Sequence, residues 1–354
     1  MRWLVTGGCG FVGSNLVRKV LARGAPACGP VHVTNLDALT YAGNAENLED
    51  VSNHPSYRFV HADVCDAEAV REAMEGVEVV LHLAAQSHVD RSLTHPEDFL
   101  RTNVVGTGVL LDQARKAGVR RFVLISTDEV YGSLGPTGRF TEETPLAPSS
   151  PYSASKAGAD LLALAYHRTF SMDLVVTRAS NNYGPYQFPE KLIPLFVTNA
   201  LEDQPLPVYG DGQQVRDWLH VDDHCDGILA AVDRGRAGEV YNLGGDCEKP
   251  NLEITRRILA ALGKPETLMK HVADRPGHDR RYALDSAKAQ RELGWRPRVG
   301  FEEGIARTID WYRKNEGWWR RVKSGEYRTY YEAQYGARLG GVGAGVQPER
   351  KSHA

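Results

Sequence analysis

Leu4-Val5-Thr6-Gly7-Gly8-Cys9-Gly10-Phe11-Val12-Gly13 reads as a short apolar strand running into spaced glycines and then into a helical stretch that reaches about Arg23. Each of the three spaced glycines has a physical job. Gly7 permits a tight turn, Gly10 lets the backbone approach a pyrophosphate, and Gly13 allows close helix–strand packing. A diphosphate placed over the first helical turn meets free N–H groups and the positive end of the helix dipole. The glycine spacing gains its weight from this strand–turn–helix context.

Working outward, Val31-His-Val-Thr-Asn-Leu36 is a second strand pattern and ends on Asp37. A carboxylate roughly 20 residues beyond the last glycine holds both ribose hydroxyls and repels a 2′-phosphate, which favours NAD over NADP. Tyr57-Arg-Phe-Val-His61 predicts a third strand, ending at Asp63-Val64. Val77-Glu-Val-Val-Leu81 predicts a fourth, ending at His82-Leu83-Ala84-Ala85-Gln86-Ser87-His88. A long helical pattern over 101–117 precedes Val123-Leu124-Ile125, the next buried strand. This alternation predicts an α/β fold: a doubly wound parallel (Rossmann-type) sheet with a smaller, mixed α/β C-terminal substrate domain.

Ser126-Thr127-Asp128-Glu129-Val130-Tyr131-Gly132 ends that strand on a hydroxyl and two adjacent carboxylates. Ligands of open parallel sheets bind outside the carboxyl ends of the strands. An acid and a base side by side there can protonate one substrate atom and deprotonate its neighbour. A polar turn with one capping aspartate is the bland alternative. Further on, Ser150-Pro151 predicts a helix start, with Tyr152 and Lys156 at i and i+4 on one face. An ammonium beside a phenol lowers the phenol pKa from its usual ~10, so Tyr152 is expected to serve as a base. A surface Tyr–Lys pair is the competing reading; the dinucleotide loop tips the balance.

The chain has 354 residues, 42% apolar and 25% charged, with a formal net charge of −3. The length favours two units or one with a large insertion; the charge gives no electrostatic argument for nucleic acid or an anionic membrane. No apolar run approaches the roughly 18 residues of a membrane span. The five cysteines are scattered without C-x-x-C spacing, and Met1–Thr6 reads as a strand without signal-peptide regions. A cytoplasmic setting is the expectation. Residues 1–182 plus 218–246 are assigned to a dinucleotide-binding unit and 183–217 plus 247–335 to a substrate unit. Residues 339–354, glycine-rich, read as a disordered tail. Arg216, Arg275, Arg280 and Arg281 are cations available for a second diphosphate. His220-Val-Asp-Asp-His224 has metal-like i, i+4 spacing, but no H-E-x-x-H glutamate and no further Cys/His cluster nearby, so no metal is expected.

With Gly7, Gly10, Gly13, Tyr152 and Lys156 together, the chain resembles the extended short-chain dehydrogenase/reductase superfamily of nucleotide-sugar enzymes. Longer segments narrow the resemblance to the dTDP-glucose 4,6-dehydratase family: Asp37-Ala-Leu-Thr-Tyr-Ala-Gly-Asn44, Leu83-Ala-Ala-Gln-Ser-His-Val-Asp-Arg91, Ser126–Gly132, Ser180–Pro194, Val208–Trp218 and Asp274-Arg-Pro-Gly-His-Asp279. It covers residue 1 to about 335.

The resemblance implies a mechanism. Tyr152 with Lys156 takes the glucose 4-hydroxyl proton as NAD takes hydride from carbon 4. Glu129 removes the carbon 5 proton, a protonated Asp128 assists loss of the 6-hydroxyl, and hydride returns to carbon 6 and a proton to carbon 5. Thr127 bonds the 4-oxygen. The product is dTDP-4-keto-6-deoxyglucose, with NAD tightly bound and regenerated. The resemblance also implies cofactor contacts from Phe11, Val12, Asp37, Ala38, Leu39, Thr40, Asp63, Val64, Leu83, Ala84, Ala85, Ser87, Thr102 and Asn182. Substrate contacts are implied for Ser87, Asn181, Lys191, Leu192, Pro207, Val208, Tyr209, Arg216, Asn251, Arg275, His278 and Asp279. A homodimer through a four-helix bundle, built from 101–117 and 152–170, is implied as well. Pro250 just before Asn251 departs from the family pattern and puts that contact in question.

A UDP-sugar 4-epimerase or decarboxylase of the same superfamily is the alternative. Such an enzyme has no need of an acid–base pair at Asp128-Glu129. A non-catalytic NAD-binding scaffold is a more distant one, against which the intact Tyr152, Lys156, Asp128 and Glu129 argue.

Overall fold

The computed structural model of the protein describes residues 1–23 and 30–339. Cys28 lies outside the described residues. So does the expected disordered tail, apart from Leu339, which ends a short helical turn.

Among the described residues the strands are β1 (Arg2–Thr6), β2 (His32–Asp37), β3 (Tyr57–His61), β4 (Val79–His82), β5 (Arg121–Thr127), β6 (Leu174–Ala179), β7 (Asn181–Tyr183), β8 (Leu206–Tyr209), β9 (Val215–His220), β10 (Val240–Leu243), β11 (Glu248–Pro250) and β12 (Met269–Val272). Seven of them form one sheet in the order β10-β6-β5-β4-β1-β2-β3, and every pairing in it is parallel. Strands β4 and β6 are buried along their whole length. Their sequences accordingly open on apolar runs, Val79–Leu81 and Leu174–Val176, rather than alternations, as helices on both faces require. On one face the helices Phe11–Ala22 and Val221–Arg234 bury Leu16, Val17 and Ile228. On the other, helices Thr107–Ala117 and Pro151–Phe170 bury Leu110, Leu111 and Ala159. The doubly wound Rossmann-type sheet expected from the alternation is therefore present.

The order in which strands are added reverses at β1/β4, which opens a crevice at their carboxyl ends. Beside it, β11-β9-β7 and β12-β8 form two small sheets over a second apolar cluster that includes Phe196, Trp218, Ile258 and Trp319. Asn181, Asn182 and Trp218–His220, which the sequence reading assigns to the larger unit, run in the three-stranded sheet.

The helix expected over 101–117 starts earlier and is irregular. Pro96–Phe99 leads into a π-helical turn, Leu100–Gly106, before regular helix begins at Thr107. Wide turns of this kind recur at functional sites. Here Asn103, inside the turn, accepts a hydrogen bond from the Gln86 N–H (2.8 Å) and donates to the Gln86 carbonyl (3.0 Å) and the Ser155 hydroxyl (2.8 Å). It clamps the loop after β4 to the helix that carries Tyr152. No period in the sequence signals this.

Candidate active site

The loop after β1 turns as its glycines require. Gly7 has φ +72°, and a Cβ there would lie 2.6 Å from the Ala84 backbone N. A Cβ on Gly13 would lie 2.1 Å from the Gly7 carbonyl oxygen, so the helix can begin this close to the strand only with glycine. The helix opens with no side-chain cap and no acidic residue in its first turn, leaving its N–H groups to an anion. Asp37, at the end of β2, accepts from the Cys9 N–H (2.8 Å) and the Leu39 N–H (2.8 Å). Each carboxylate oxygen keeps further lone pairs for ligand hydroxyls.

These parts line one cleft of about 330 Å³. Of the cofactor residues expected from the sequence, Gly7, Gly10, Phe11, Val12, Gly13, Asp37, Ala38, Thr40, Asp63, Val64, Leu83, Ala84, Ala85, Ser87, Thr102 and Asn182 line it, together with Thr127, Asp128, Glu129, Tyr152 and Lys156. Leu39 does not: it sits at φ +49° with its N–H on Asp37 and packs toward the apolar core.

Helix Pro151–Phe170 is started by a reciprocal capping box between Ser150 and Ser153, with Pro151 in its first turn, an arrangement that fixes where Tyr152 enters the cleft. Lys156 donates to the Ile125 carbonyl of β5 at 2.7 Å, and burial pushes its ammonium down to about 8. The expected lowering of the Tyr152 phenol is not found. Burial and the nearby Glu129 charge raise its pKa, and a hydrogen bond with Thr127 only partly opposes them. In the protein alone, desolvation disfavours the phenolate, and Lys156 donates its hydrogen bond to a carbonyl rather than to the phenol.

Asp128 and Glu129 follow β5 in a short 3₁₀ turn that Thr127 caps by accepting the Glu129 N–H at 3.3 Å. Burial raises the Asp128 carboxyl well above its usual range, helped by the charges of Glu129 and Asp217. Glu129 is raised by burial too, but Arg275, Lys191 and Arg216 pull it down. A proton shared by this pair therefore favours Asp128.

Next to Glu129 opens a second cavity of about 150 Å³. Asn181, Lys191, Leu192, Pro207, Val208, Tyr209, Arg216, Asn251, Arg275 and His278 line it. Arg216 lies over the Tyr282 ring at 4.4 Å and donates to the Val215 and Asp279 carbonyls. It is 5% exposed, and among the described residues it forms no ion pair. Arg275 Nη1 stands 3.2 Å from Asp90 Oδ1 without hydrogen-bond alignment, so its N–H remains unpartnered. Two guanidinium groups, Arg216 buried and Arg275 partly buried, suit a diphosphate.

Three expectations fail here. Arg280 pairs with Asp211 at the surface, and Arg281 pairs with Glu248 and the carbonyls of Gly135 and Gly138; neither lines the cavity. Asp279 binds the Ser149 hydroxyl and the Tyr282 hydroxyl behind it. Asn251, whose contact Pro250 puts in question, does line the second cavity. Pro250 is the residue before the helix start, and the Asn251 Oδ1 is buried and without a partner. Unpartnered buried polar atoms on Ser126, Asp128, Asn181, Asn182 and Gln187 also surround the two cavities, an unusual density unless ligands complete them. His220 caps its own helix by accepting the Asp222 N–H, and His224 is held neutral by burial, pushed down to about 3. Asp90, Glu190, Tyr282 and Tyr335 also line the second cavity but were not singled out in the sequence. Asp90 and Glu190 lie inside quoted motifs; nothing local marks Tyr282 or Tyr335.

The chain matches the family model described as GDP-mannose 4,6 dehydratase over residues 4–308. It is 52% identical over 329 residues to a dTDP-glucose 4,6-dehydratase of Streptomyces niveus, covering 93% of this chain and 98% of that one. The corresponding figures for one from Streptomyces griseus are 56% over 316 residues, 89% and 95%. A dTDP-glucose 4,6-dehydratase of Streptomyces venezuelae, solved with NAD bound, superposes with a TM-score of 0.89 at 54% identity, covering 91% of this chain and all of that one. A UDP-glucose 4-epimerase of Thermotoga maritima is more distant, at 31% identity, a TM-score of 0.82, and coverage of 89% and 100%. With more than half its residues identical to the Streptomyces enzymes over about nine-tenths of its length, the chain belongs to the dTDP-glucose 4,6-dehydratase family.

Proposed function

We propose that the protein converts dTDP-glucose to dTDP-4-keto-6-deoxyglucose, with NAD in the first cleft and the nucleotide sugar in the second cavity. The single observation that carries this is the pair of adjacent carboxyls, Asp128 buried and Glu129 half-buried, at the strand exit that also faces Tyr152 and Lys156.

The fit to NAD rests on the Gly7–Gly13 cradle, on Asp37 for the ribose hydroxyls, and on Asp63 and Val64, which line the same cleft. Bound there, NAD would supply the acceptor and donor of the hydride exchanged with carbons 4 and 6, and a positive ring whose charge would oppose the burial penalty on the Tyr152 phenolate. Tyr152 removes the proton of the 4-hydroxyl, and Thr127 donates to the 4-oxygen. The ketone acidifies carbon 5. Glu129, ionised under the influence of Arg275, Lys191 and Arg216, takes that proton, while Asp128, the protonated partner, donates to the leaving 6-hydroxyl. Arg216 and Arg275 hold the diphosphate.

An epimerase has no use for the Asp128–Glu129 pair, so turnover separates the readings. Incubated with dTDP-glucose and UDP-glucose, the protein is expected to remove one water from the dTDP-sugar without net NAD reduction. An isomer of unchanged mass, or no turnover of either sugar, would reject the reading.

A homodimer and a cytoplasmic location belong to the same proposal. Leu100, Val105, Leu161 and Phe170 are exposed on the 96–117 and 151–170 helices, an apolar surface suited to a four-helix contact. The described cysteines are free thiols, and no helix among the described residues is long and apolar enough to cross a membrane.

A further inference from the structure

The wall of the second cavity beside Arg275 is completed by the end of the chain. Residues Glu326–Tyr331, Glu332–Gly336 and Ala337–Leu339 form consecutive helical turns that lie outside the family match over 4–308. Tyr335 is buried and lines the cavity. Gln334 donates its two amide hydrogens to Asp90 Oδ2 (2.9 Å) and to the Tyr209 hydroxyl (2.8 Å). Tyr209 donates in turn to the same Asp90 oxygen at 2.9 Å and accepts from Arg338 at 3.1 Å. The other Asp90 oxygen is the one 3.2 Å from Arg275. Nearby, the Tyr330 ring stacks under Arg91 at 4.2 Å, and Arg91 donates to Glu190 at 3.1 Å.

We propose that this C-terminal segment completes the nucleotide-diphosphate pocket, with Tyr335 as a binding wall and Gln334 as a positioning residue that holds Asp90, and through it Arg275, toward the diphosphate. The proposal rests on the functional reading above. Its physical basis is preorganisation. A long guanidinium side chain loses rotamer freedom when it clamps an anion, and less is lost when its carboxylate neighbour is already fixed. Gln334 and Tyr209 fix Asp90 from the side away from Arg275, which leaves the unpartnered Arg275 N–H to the ligand.

Titration calorimetry of dTDP with the full-length, NAD-loaded protein tests this. Gln334→Ala and Tyr335→Ala are each expected to raise Kd by about fivefold or more, and Tyr335→Phe, which keeps the ring, to stay within about twofold of wild type. KM for dTDP-glucose should rise in step with Kd, with kcat carrying little of the loss. Gln334 is only half-buried, so its alanine variant reports even where Tyr335→Ala folds poorly. A Gln334→Ala Kd less than about fivefold above wild type overturns the proposal. So does a larger loss accompanied by lost NAD or a lowered melting point, since that is a structural effect. A wild-type protein that binds no dTDP overturns the functional reading instead.

Discussion

Two neighbouring carboxyls are given opposite tasks by their surroundings. Asp128 has a buried Oδ2 with no partner, whereas Glu129 lies within the fields of Arg275, Lys191 and Arg216. Glu129→Gln should still permit oxidation at carbon 4 but slow water loss by about 10²–10⁴-fold. Reduced-nicotinamide absorbance would then accumulate while product mass shows no dehydration; full dehydration in this variant would remove Glu129 from the mechanism. Asp128 also links stability to pH. Its folded pKa is raised, so the stability it contributes is full below the unfolded value of about 3.9 and is lost as pH rises through the folded one, at up to about 1.4 kcal/mol per pH unit. Asp128→Asn lacks that loss. Urea unfolding at several pH values from 4 upward should therefore show the variant gaining on wild type as pH rises. A constant difference between the two would mean that Asp128 ionises normally in the folded protein.

At the scale of elements, the approach of the first helix to β1 depends on a missing side chain. Gly13→Ala would place its Cβ 2.1 Å from the Gly7 carbonyl oxygen, and the loop must move to admit it. The expected cost is about 1–3 kcal/mol of stability, with a marked fall in NAD retained through purification. Retention equal to wild type would show that the loop does not hold the diphosphate. The helix that carries Tyr152 is legible because its signals are local: a serine cap, proline in the first turn, and an i, i+4 pair. The π turn at Leu100–Gly106 is not, because Asn103 is drawn to Gln86 and Ser155 by contacts outside its own segment.

Over the whole molecule, the exposed Leu161 (59%), Val105 (56%) and Leu100 (54%) are large apolar groups left in water on the helices over 96–117 and 151–170. Leu161→Glu should convert the proposed dimer to monomer, as light scattering on a sizing column would show; an unchanged mass would place the contact elsewhere. Because these are the helices that carry Thr102, Tyr152 and Lys156, the monomer is also expected to lose activity.

The sequence by itself determined the dinucleotide loop, the doubly wound sheet and the positions of Asp128, Glu129, Tyr152 and Lys156. Each follows from spacing within a few residues or from strand–helix alternation, and such patterns act through local backbone sterics and short-range side-chain geometry. Only the tertiary structure decided which arginines face the pocket. Arg216 and Arg275 turn inward while Arg280 and Arg281 turn to surface carboxylates and carbonyls, a choice set by partners far away along the chain. It also decided the direction of the pKa shifts, because burial is a property of the assembled fold: desolvation raises the Tyr152 phenol against the expectation from Lys156. The contribution of Gln334 and Tyr335 is of the same kind, since nothing around them in the sequence announces that they close a cavity whose other walls come from residues 88–90, 207–209 and 275.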